Sequence, residues 1–184
     1  IAKWKGRLVA CGYSQQDGVD FHSDQLYAPV GKYKSIRTIL TIAVQLQYKL
    51  YQSDVQTAFL NAPVHEELYM HQPPGYGITK GNVPLVWKLK KALYGTRQAP
   101  ANWNVEINGV LINELQFKST VSDTCVYHKI SSTGRNIILF LFVDDIVTAV
   151  HENDIKEWNY MKQLLSNKFK ISDLGESSWI LQMQ

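Results

Sequence analysis

The chain has 184 residues and a mass of 21.0 kDa, a size that corresponds to one domain or two small ones. Hydrophobic residues make up 45% and charged residues 19%, a composition that excludes wholesale disorder. The longest apolar stretch, residues 137–143, is far shorter than the ~20 residues of a membrane helix, so no membrane span is predicted.

The net charge of +3 is distributed unevenly. Residues 1–100 carry 12 Lys and Arg against 6 Asp and Glu, and residues 101–184 carry 7 against 10. A basic first half fits a protein that binds a polyanion, and an uneven solvated surface explains it equally well. Cys11 and Cys125 are too few, and too far apart, to predict a disulfide scaffold or a zinc site. Because the chain starts at Ile1 without a signal peptide, we interpret it as a piece of a longer polypeptide.

Hydrophobic spacing and turn residues predict the elements in chain order. They are an exposed strand or hairpin at 3–13, a helix at 35–47 with Ser35 as N-cap, a strand at 48–55, a Pro- and Gly-rich loop at 71–85, a strand at 86–89, a helix at 101–115, strands at 126–128 and 137–143, a helix at 154–169, a turn at 173–175 and a strand at 179–183. This order predicts an α+β fold, a small, mostly antiparallel sheet with helices on one side.

Two adjacent carboxylates, Asp144 and Asp145, interrupt the apolar run of residues 140–147. Burying an unpaired carboxylate is costly, so the pair requires a compensating partner. Neighbouring side chains of a straight strand point to opposite faces, so the two carboxylates reach one site only where the chain turns. We therefore expect them at the tip of a hairpin between residues 137–143 and 146–150. A solvent-exposed Asp-Asp turn is the alternative.

Asp54 also lies at the end of a predicted strand. Aspartates at the ends of two strands can converge and hold two Mg²⁺ ions, because carboxylate oxygens are hard ligands. Two such ions ~3.5–4 Å apart stabilise both the attacking and the leaving oxygen of an in-line displacement at phosphorus. We therefore expect the carboxylates of Asp54, Asp144 and Asp145 to converge in space.

Four motifs in a fixed order carry a family resemblance. They are Asp54-Val55-x-x-Ala58-Phe59-Leu60-Asn61, Tyr69-Met70-x-Gln72-Pro73-Pro74-Gly75, Leu93-Tyr94-Gly95-x-x-Gln98-Ala99-Pro100-x-x-Trp103 and Phe142-Val143-Asp144-Asp145. Further matches extend over nearly the whole chain: Arg7-Leu8-Val9-Ala10, Ala28-Pro29-Val30, Ser122-Asp123 and Asp173-Leu174-Gly175-Glu176. On these residues the chain resembles the reverse transcriptase of copia-type (Pseudoviridae-like) LTR retrotransposons.

The resemblance implies a right-hand polymerase fold without its thumb. Residues 1–34 and about 62–100 would be fingers-like, and residues 35–61 and 101–184 palm-like, ending at the primer-grip region. It implies an RNA-directed DNA polymerase fragment of a Pol polyprotein that uses two Mg²⁺ ions, with Mn²⁺ as a substitute. The implied partners are an RNA or DNA template with its primer, deoxynucleoside triphosphates, integrase upstream and RNase H downstream. The implied location is intracellular, in a cytoplasmic virus-like particle and the nucleus.

Residue by residue, the resemblance assigns catalysis and metal binding to Asp54, Asp144 and Asp145, with Val55 as a further metal ligand. It assigns nucleotide binding to Lys5, Arg7, Val55, Phe59, Tyr94, Gly95 and Gln98. Phe59 is expected under the sugar of the incoming nucleotide, where its ring would clash with a ribose 2′-OH. A core aromatic is the alternative for Phe59, and a solvated strand edge is the alternative for Lys5 and Arg7.

Two other functions stay open on the sequence. A domesticated or decayed relic would bind nucleic acid at most and would lack catalysis. A two-metal nuclease would share the three carboxylates without needing Phe59 or the block at residues 93–103.

Overall fold

The computed structural model describes residues 6–177. Lys5 and the strand predicted at 179–183 lie outside these residues. The described chain divides into two compact units, one of residues 6–28 and 59–105 (the first unit) and one of residues 29–58 and 106–177 (the second unit). The predicted division into fingers-like and palm-like parts stays a prediction.

Three α-helices, ten strands and four short 3-10 helices are described. The helices are α1 (Tyr33–Gln45), α2 (Ala99–Gly109), which continues as a π-helical turn at Val110–Glu114, and α3 (Ile155–Lys168). The strands are β1 (Tyr48–Val55), β2 (Tyr69–His71), β3 (Thr79–Lys80), β4 (Val83–Pro84), β5 (Val86–Lys88), β6 (Lys118–Ser119), β7 (Val126–Ile130), β8 (Asn136–Phe142), β9 (Asp145–His151) and β10 (Ile171–Glu176). Within residues 6–177, no helix has the length and apolar character needed to cross a membrane.

A six-stranded antiparallel sheet organises the second unit, in the order β10-β1-β9-β8-β7-β6. β8 and β9 form a hairpin in which Phe142 lies opposite Asp145, so Val143 and Asp144 make the turn. The predicted hairpin is therefore confirmed, with its turn one residue earlier, so that Asp144 lies in the turn and Asp145 begins β9. In the first unit, β2 pairs with β5 and β3 pairs with β4, so the predicted loop at 71–85 contains short strands.

Helices cover both faces of the central strand β9. On one face, buried residues of α1 pack against Phe140, Val147 and Ala149. The alternate residues Ile146 and Thr148, which point the other way, are equally buried, and α3 contacts β9. The prediction of helices on one side was therefore wrong. The reason is that the apolar run of β9 lacks polar alternation, which is typical of a strand buried on both faces.

The start of α1 depends on a distant aspartate. The three predicted helices are confirmed, but α1 begins at Tyr33, so Ser35 is not its N-cap. The Ser35 hydroxyl instead donates to the carboxylate of Asp123, 88 positions away, at 2.5 Å. The same carboxylate accepts from the backbone N–H groups of Lys32 (2.9 Å) and Cys125 (3.0 Å). Asp123 therefore caps the helix in place of a local side chain.

Two further predictions were wrong. Residues 173–175 are not a turn: they belong to β10, which pairs along β1 with an irregularity between Gln52 and Ser53. Gly175, with φ at +76°, supplies the backbone conformation that this irregularity needs. Residues 6–13 contain no strand, although the Ala10 N–H donates to the Tyr94 carbonyl at 2.7 Å.

We predict that Asp123→Asn lowers the free energy of unfolding by about 1–3 kcal/mol at pH 7, because the amide cannot accept all three hydrogen bonds as the carboxylate does. Burial acts to raise the pKa of Asp123, but the hydrogen bonds from Ser35, Lys32 and Cys125 outweigh it and hold the pKa below its ordinary value. The ionised carboxylate of Asp123 therefore stabilises the fold fully above the unfolded pKa of about 3.9. This stabilisation is lost as the pH falls through the lower folded pKa. Urea unfolding at pH 7 and at pH 3 measures it.

The control is Asp24→Asn, at an exposed aspartate. Equal stability of the Asp123→Asn variant and the wild type at pH 7 would contradict the capping role.

Candidate functional site

The register of β1 against β9 brings two of the predicted catalytic residues together. Asp54 lies directly opposite Asp145. Residues opposite each other in an antiparallel pair project to the same face, with Cβ atoms about 4.5–5.5 Å apart. The end of β1 is also tied to the hairpin tip, because the Val55 N–H donates to the Asp144 carbonyl at 2.9 Å. Three aspartates from two distant segments therefore meet at one end of the sheet.

The hairpin tip has an unusual backbone. Val143 has a φ of +58°, in the left-handed region that β-branched residues rarely adopt. Two-residue hairpin turns of this kind favour Asn and Gly, so Val143 costs roughly 1–2 kcal/mol of backbone strain. Such strain persists only where the surrounding structure imposes it, which is common at functional sites. Asp144 and Asp145 are both half-buried, unlike the side chains of a freely exposed turn.

Like charges accumulate at this end of the sheet. Burial raises the pKa of Asp145, and the charges of Asp144 and Asp54 raise it further. A hydrogen bond from Gln52 Nε2 to Asp145 Oδ1, at 3.3 Å, acts in the opposite direction. A bound cation would relieve the repulsion among these three carboxylates.

The donor chemistry of the three aspartates fits a divalent cation, because all of their side-chain donors are hard oxygen atoms. The arrangement is not a closed coordination cage: among residues 6–177, no group of three His, Cys, Asp or Glu side chains is placed to hold a metal ion. Val55, the fourth predicted ligand, has a buried side chain and pairs with Ile171. The three carboxylates are therefore neighbours, but in this structure their oxygen atoms are not arranged around a single metal position.

In the first unit, three of the predicted nucleotide-binding residues form one cluster. The rings of Phe59 and Tyr94 have centroids 4.7 Å apart and are inclined at 50°. The guanidinium carbon of Arg7 lies 5.9 Å from the centroid of the Tyr94 ring. These are the geometries of an aromatic pair and a cation–π contact. The structure thus places a cation and two rings side by side.

Gly95 allows two backbone segments to cross closely. Its φ is +90°, and a Cβ added to it would lie 2.1 Å from the Ala10 carbonyl oxygen and 2.7 Å from Cγ1 of Val9. A Cβ on Gly12 would in turn meet the Gly95 carbonyl oxygen at 1.9 Å. Only glycine fits at this crossing, which holds residues 9–12 beside the Arg7 cluster.

Gln98 is buried and its carboxamide is engaged at both ends. It donates to the Asp20 carbonyl at 3.0 Å and accepts from Gln15 Nε2 at 3.0 Å. The side chain is only 2% exposed, so in this structure it links segments of the first unit. Sequence reasoning missed these partners, which no local pattern indicates. It also missed Gln52, although the two-residue period of a strand puts position 52 on the same face as Asp54.

Comparisons with known proteins agree with the resemblance. Residues 1–184 match the family described as reverse transcriptase (RNA-dependent DNA polymerase). The chain is 40% identical over 184 residues to the retrovirus-related Pol polyprotein from transposon TNT 1-94 of Nicotiana tabacum, which covers 100% of this chain and 13% of that protein. It is 37% identical over 185 residues to the corresponding polyprotein from transposon RE1 of Arabidopsis thaliana, covering 100% and 12%.

A more distant relative is the transposon Ty1-GR3 Gag-Pol polyprotein of Saccharomyces cerevisiae, 31% identical over 173 residues, which are 94% of this chain and 9% of that protein. The chain therefore spans about an eighth of the length of the plant relatives it matches. No solved structure matches it.

We predict that Gly95→Ala destabilises the first unit far more than Gly18→Ala does. Both glycines have positive φ, +90° and +77°, but a Cβ on Gly18 meets nothing within 4 Å. Gly18→Ala should therefore cost about 1 kcal/mol for the left-handed backbone alone. Gly95→Ala should cost at least about 2 kcal/mol more, because the Cβ pushes the Ala10 carbonyl away. Urea unfolding measures both, and equal losses would contradict the close crossing.

Proposed function

The chain belongs to the reverse transcriptase (RNA-dependent DNA polymerase) family, and we propose that it is the segment of a retrotransposon Pol polyprotein that adds deoxynucleotides to a primer 3′-OH. The observation that supports this most directly is the pairing of Asp54 with Asp145, with Asp144 at the adjoining hairpin tip. A polymerase active site requires such a concentration of carboxylates from separate segments.

We assign Asp54, Asp144 and Asp145, with Val55 beside them, as the residues that would hold two Mg²⁺ ions, or Mn²⁺ as a substitute. When bound, the ions would activate the primer hydroxyl and neutralise the charge of the triphosphate. The chain itself supplies a half-buried cluster of negative charge, and the β1–β9 pairing keeps Asp54 and Asp145 at a constant separation. Positioning and electrostatics of this kind make up most of the catalysis in phosphoryl-type transfer.

The Arg7–Tyr94–Phe59 cluster is our candidate for recognition of the nucleotide. The exposed guanidinium of Arg7 suits triphosphate oxygens, because its planar fork can form two parallel hydrogen bonds. Contact with Tyr94 restricts the Phe59 ring, which we propose lies under the deoxyribose. We propose Gly95 and Gln98 as further nucleotide-binding residues, as well as Lys5, which lies outside the described residues.

The proposed partners are an RNA or DNA template with its primer, deoxynucleoside triphosphates and the rest of a Pol polyprotein, with integrase upstream and RNase H downstream. We propose that the polyprotein works in a cytoplasmic virus-like particle and in the nucleus. We also propose the division of the chain into fingers-like and palm-like parts. The basic excess of residues 1–100 would then face the phosphate backbone.

We predict that Asp144→Asn lowers primer extension by at least roughly 100-fold, because the site loses one of the carboxylates that would hold the ions, which in turn neutralise the charge of the transition state. The measurement is Mg²⁺-dependent extension of a DNA primer on an RNA template by a longer chain that includes the downstream sequence. Asp24→Asn, at an exposed position, is the control and should extend as the wild type does.

Two outcomes would decide against the proposal. A wild-type chain that binds primer–template without extending it would indicate a relic. A chain that cleaves nucleic acid with Mg²⁺, depends on Asp144, and never extends a primer would indicate a nuclease.

We predict that Phe59→Val raises incorporation of ribonucleotides relative to deoxyribonucleotides by about 10-fold to 100-fold, because the smaller side chain leaves room for a 2′-OH. The ratio of kcat/KM for the two nucleotide classes is the measurement. Phe59→Tyr keeps the ring and should preserve the discrimination. If Phe59→Val left the ratio unchanged, Phe59 would be only the ring that packs against Tyr94.

A further inference from the structure

A glutamine that none of the four motifs includes contacts the aspartate cluster. Gln52 lies on β1, two residues before Asp54 and therefore on the same face of the sheet. Its Nε2 donates to Oδ1 of Asp145 at 3.3 Å, and its Oε1 accepts from the hydroxyl of Ser177 at 3.2 Å. The Ser177 N–H also donates to the Leu50 carbonyl at 2.8 Å, which keeps Ser177 beside β1. A chain of hydrogen bonds thus runs from Ser177 through Gln52 to Asp145.

The order of donors and acceptors gives this chain a direction. A carboxamide has one accepting oxygen and one donating nitrogen, and a carboxylate only accepts, so the carboxylate of Asp145 fixes which end of the Gln52 carboxamide faces it. Here the nitrogen faces Asp145 Oδ1. The oxygen then lies at the far end of the carboxamide, where the hydroxyl of Ser177 donates to it and anchors the side chain.

Gln52 carries no charge, which matters because its partner Asp145 is the proposed ligand of the cation. A lysine at this position would orient Asp145 and would also cancel the negative charge that attracts the ion. The carboxamide orients the carboxylate without cancelling that charge. It also limits rotation of Asp145, whose neighbours Asp144 and Asp54 repel it, so less conformational freedom is lost when the ion binds.

We propose that Gln52, anchored by Ser177, is a positioning residue that holds Asp145 for the divalent cation. The inference rests on the proposed function, because it takes the three aspartates as the cation site. Partners that orient metal ligands in this way typically change metal affinity or activity by 10-fold to 100-fold.

The test measures Mn²⁺ binding by electron paramagnetic resonance on the 184-residue chain. Gln52→Met keeps the length of the side chain and removes both hydrogen bonds, and it should weaken Mn²⁺ binding by about 10-fold or more. Ser177→Ala should cause part of that loss, and Ser177→Thr, which retains a hydroxyl, should restore it. Thermal unfolding of each variant shows whether the fold is intact.

A second measurement distinguishes a positioning role from a loss of stability. In primer extension by the longer chain, Gln52→Met should raise the Mn²⁺ concentration needed for half-maximal rate and leave the rate at saturating Mn²⁺ closer to the wild type. A merely structural role would lower stability without shifting the metal dependence.

The outcomes distinguish this inference from the proposed function. If wild-type Mn²⁺ binding is abolished by Asp144→Asn but is unaffected by Gln52→Met, the aspartate cluster is the cation site and the positioning role is overturned. If the wild type shows no Mn²⁺ binding that depends on Asp144, the proposed function fails and the positioning role fails with it. If Gln52→Met does not fold, equal binding by Ser177→Ala and Ser177→Thr overturns the inference.

Discussion

The pairing of β1 with β9 is the constraint on which the rest of the second unit depends. Asp54 and Asp145 share a face only in the observed register, because a slip of one residue would move every side chain of β1 to the opposite face. The same slip would send Gln52 away from Asp145 and would bury the charged Asp54 on the α3 side. The register therefore sets the core and the candidate site together.

Packing on both faces of β9 holds this register. Apolar residues on one side meet α1, and the alternate residues are buried on the other, so a shifted β1 would place the carboxylate of Asp54 among buried side chains. Asp123 adds a second restraint, since it connects the start of α1 to the segment that precedes β7. The carboxylates of Asp54, Asp144 and Asp145 lie at the strained turn of Val143, where the apolar core ends. Because they are only half-buried there, the sheet can carry three like charges.

The first unit differs from the second, because it supports a small cluster of functional side chains with few regular elements. Its strands are short, so close backbone crossings and buried side-chain amides replace long ladders of hydrogen bonds. Gly95 permits the crossing beside Tyr94, and Gln98 connects two segments through its carboxamide. Arg7 and Phe59 are then held by contacts with a single ring, that of Tyr94, which makes this ring the centre of the proposed nucleotide-binding cluster.

The sequence by itself determined the features that depend on near neighbours. Helical spacing predicted α1, α2 and α3, the segment 48–55 was predicted as the strand that is β1, and the adjacent aspartates predicted the β8–β9 turn. The motifs, read in order, determined the family. Only the tertiary structure decided that residues 173–175 pair with β1 as a strand, that the Asp123 carboxylate caps the start of α1, and that Gln98 is buried against Asp20. The physical reason is that each of these depends on a partner about 80 or more positions away, and the periodicity of a segment contains no information about the partner it will meet.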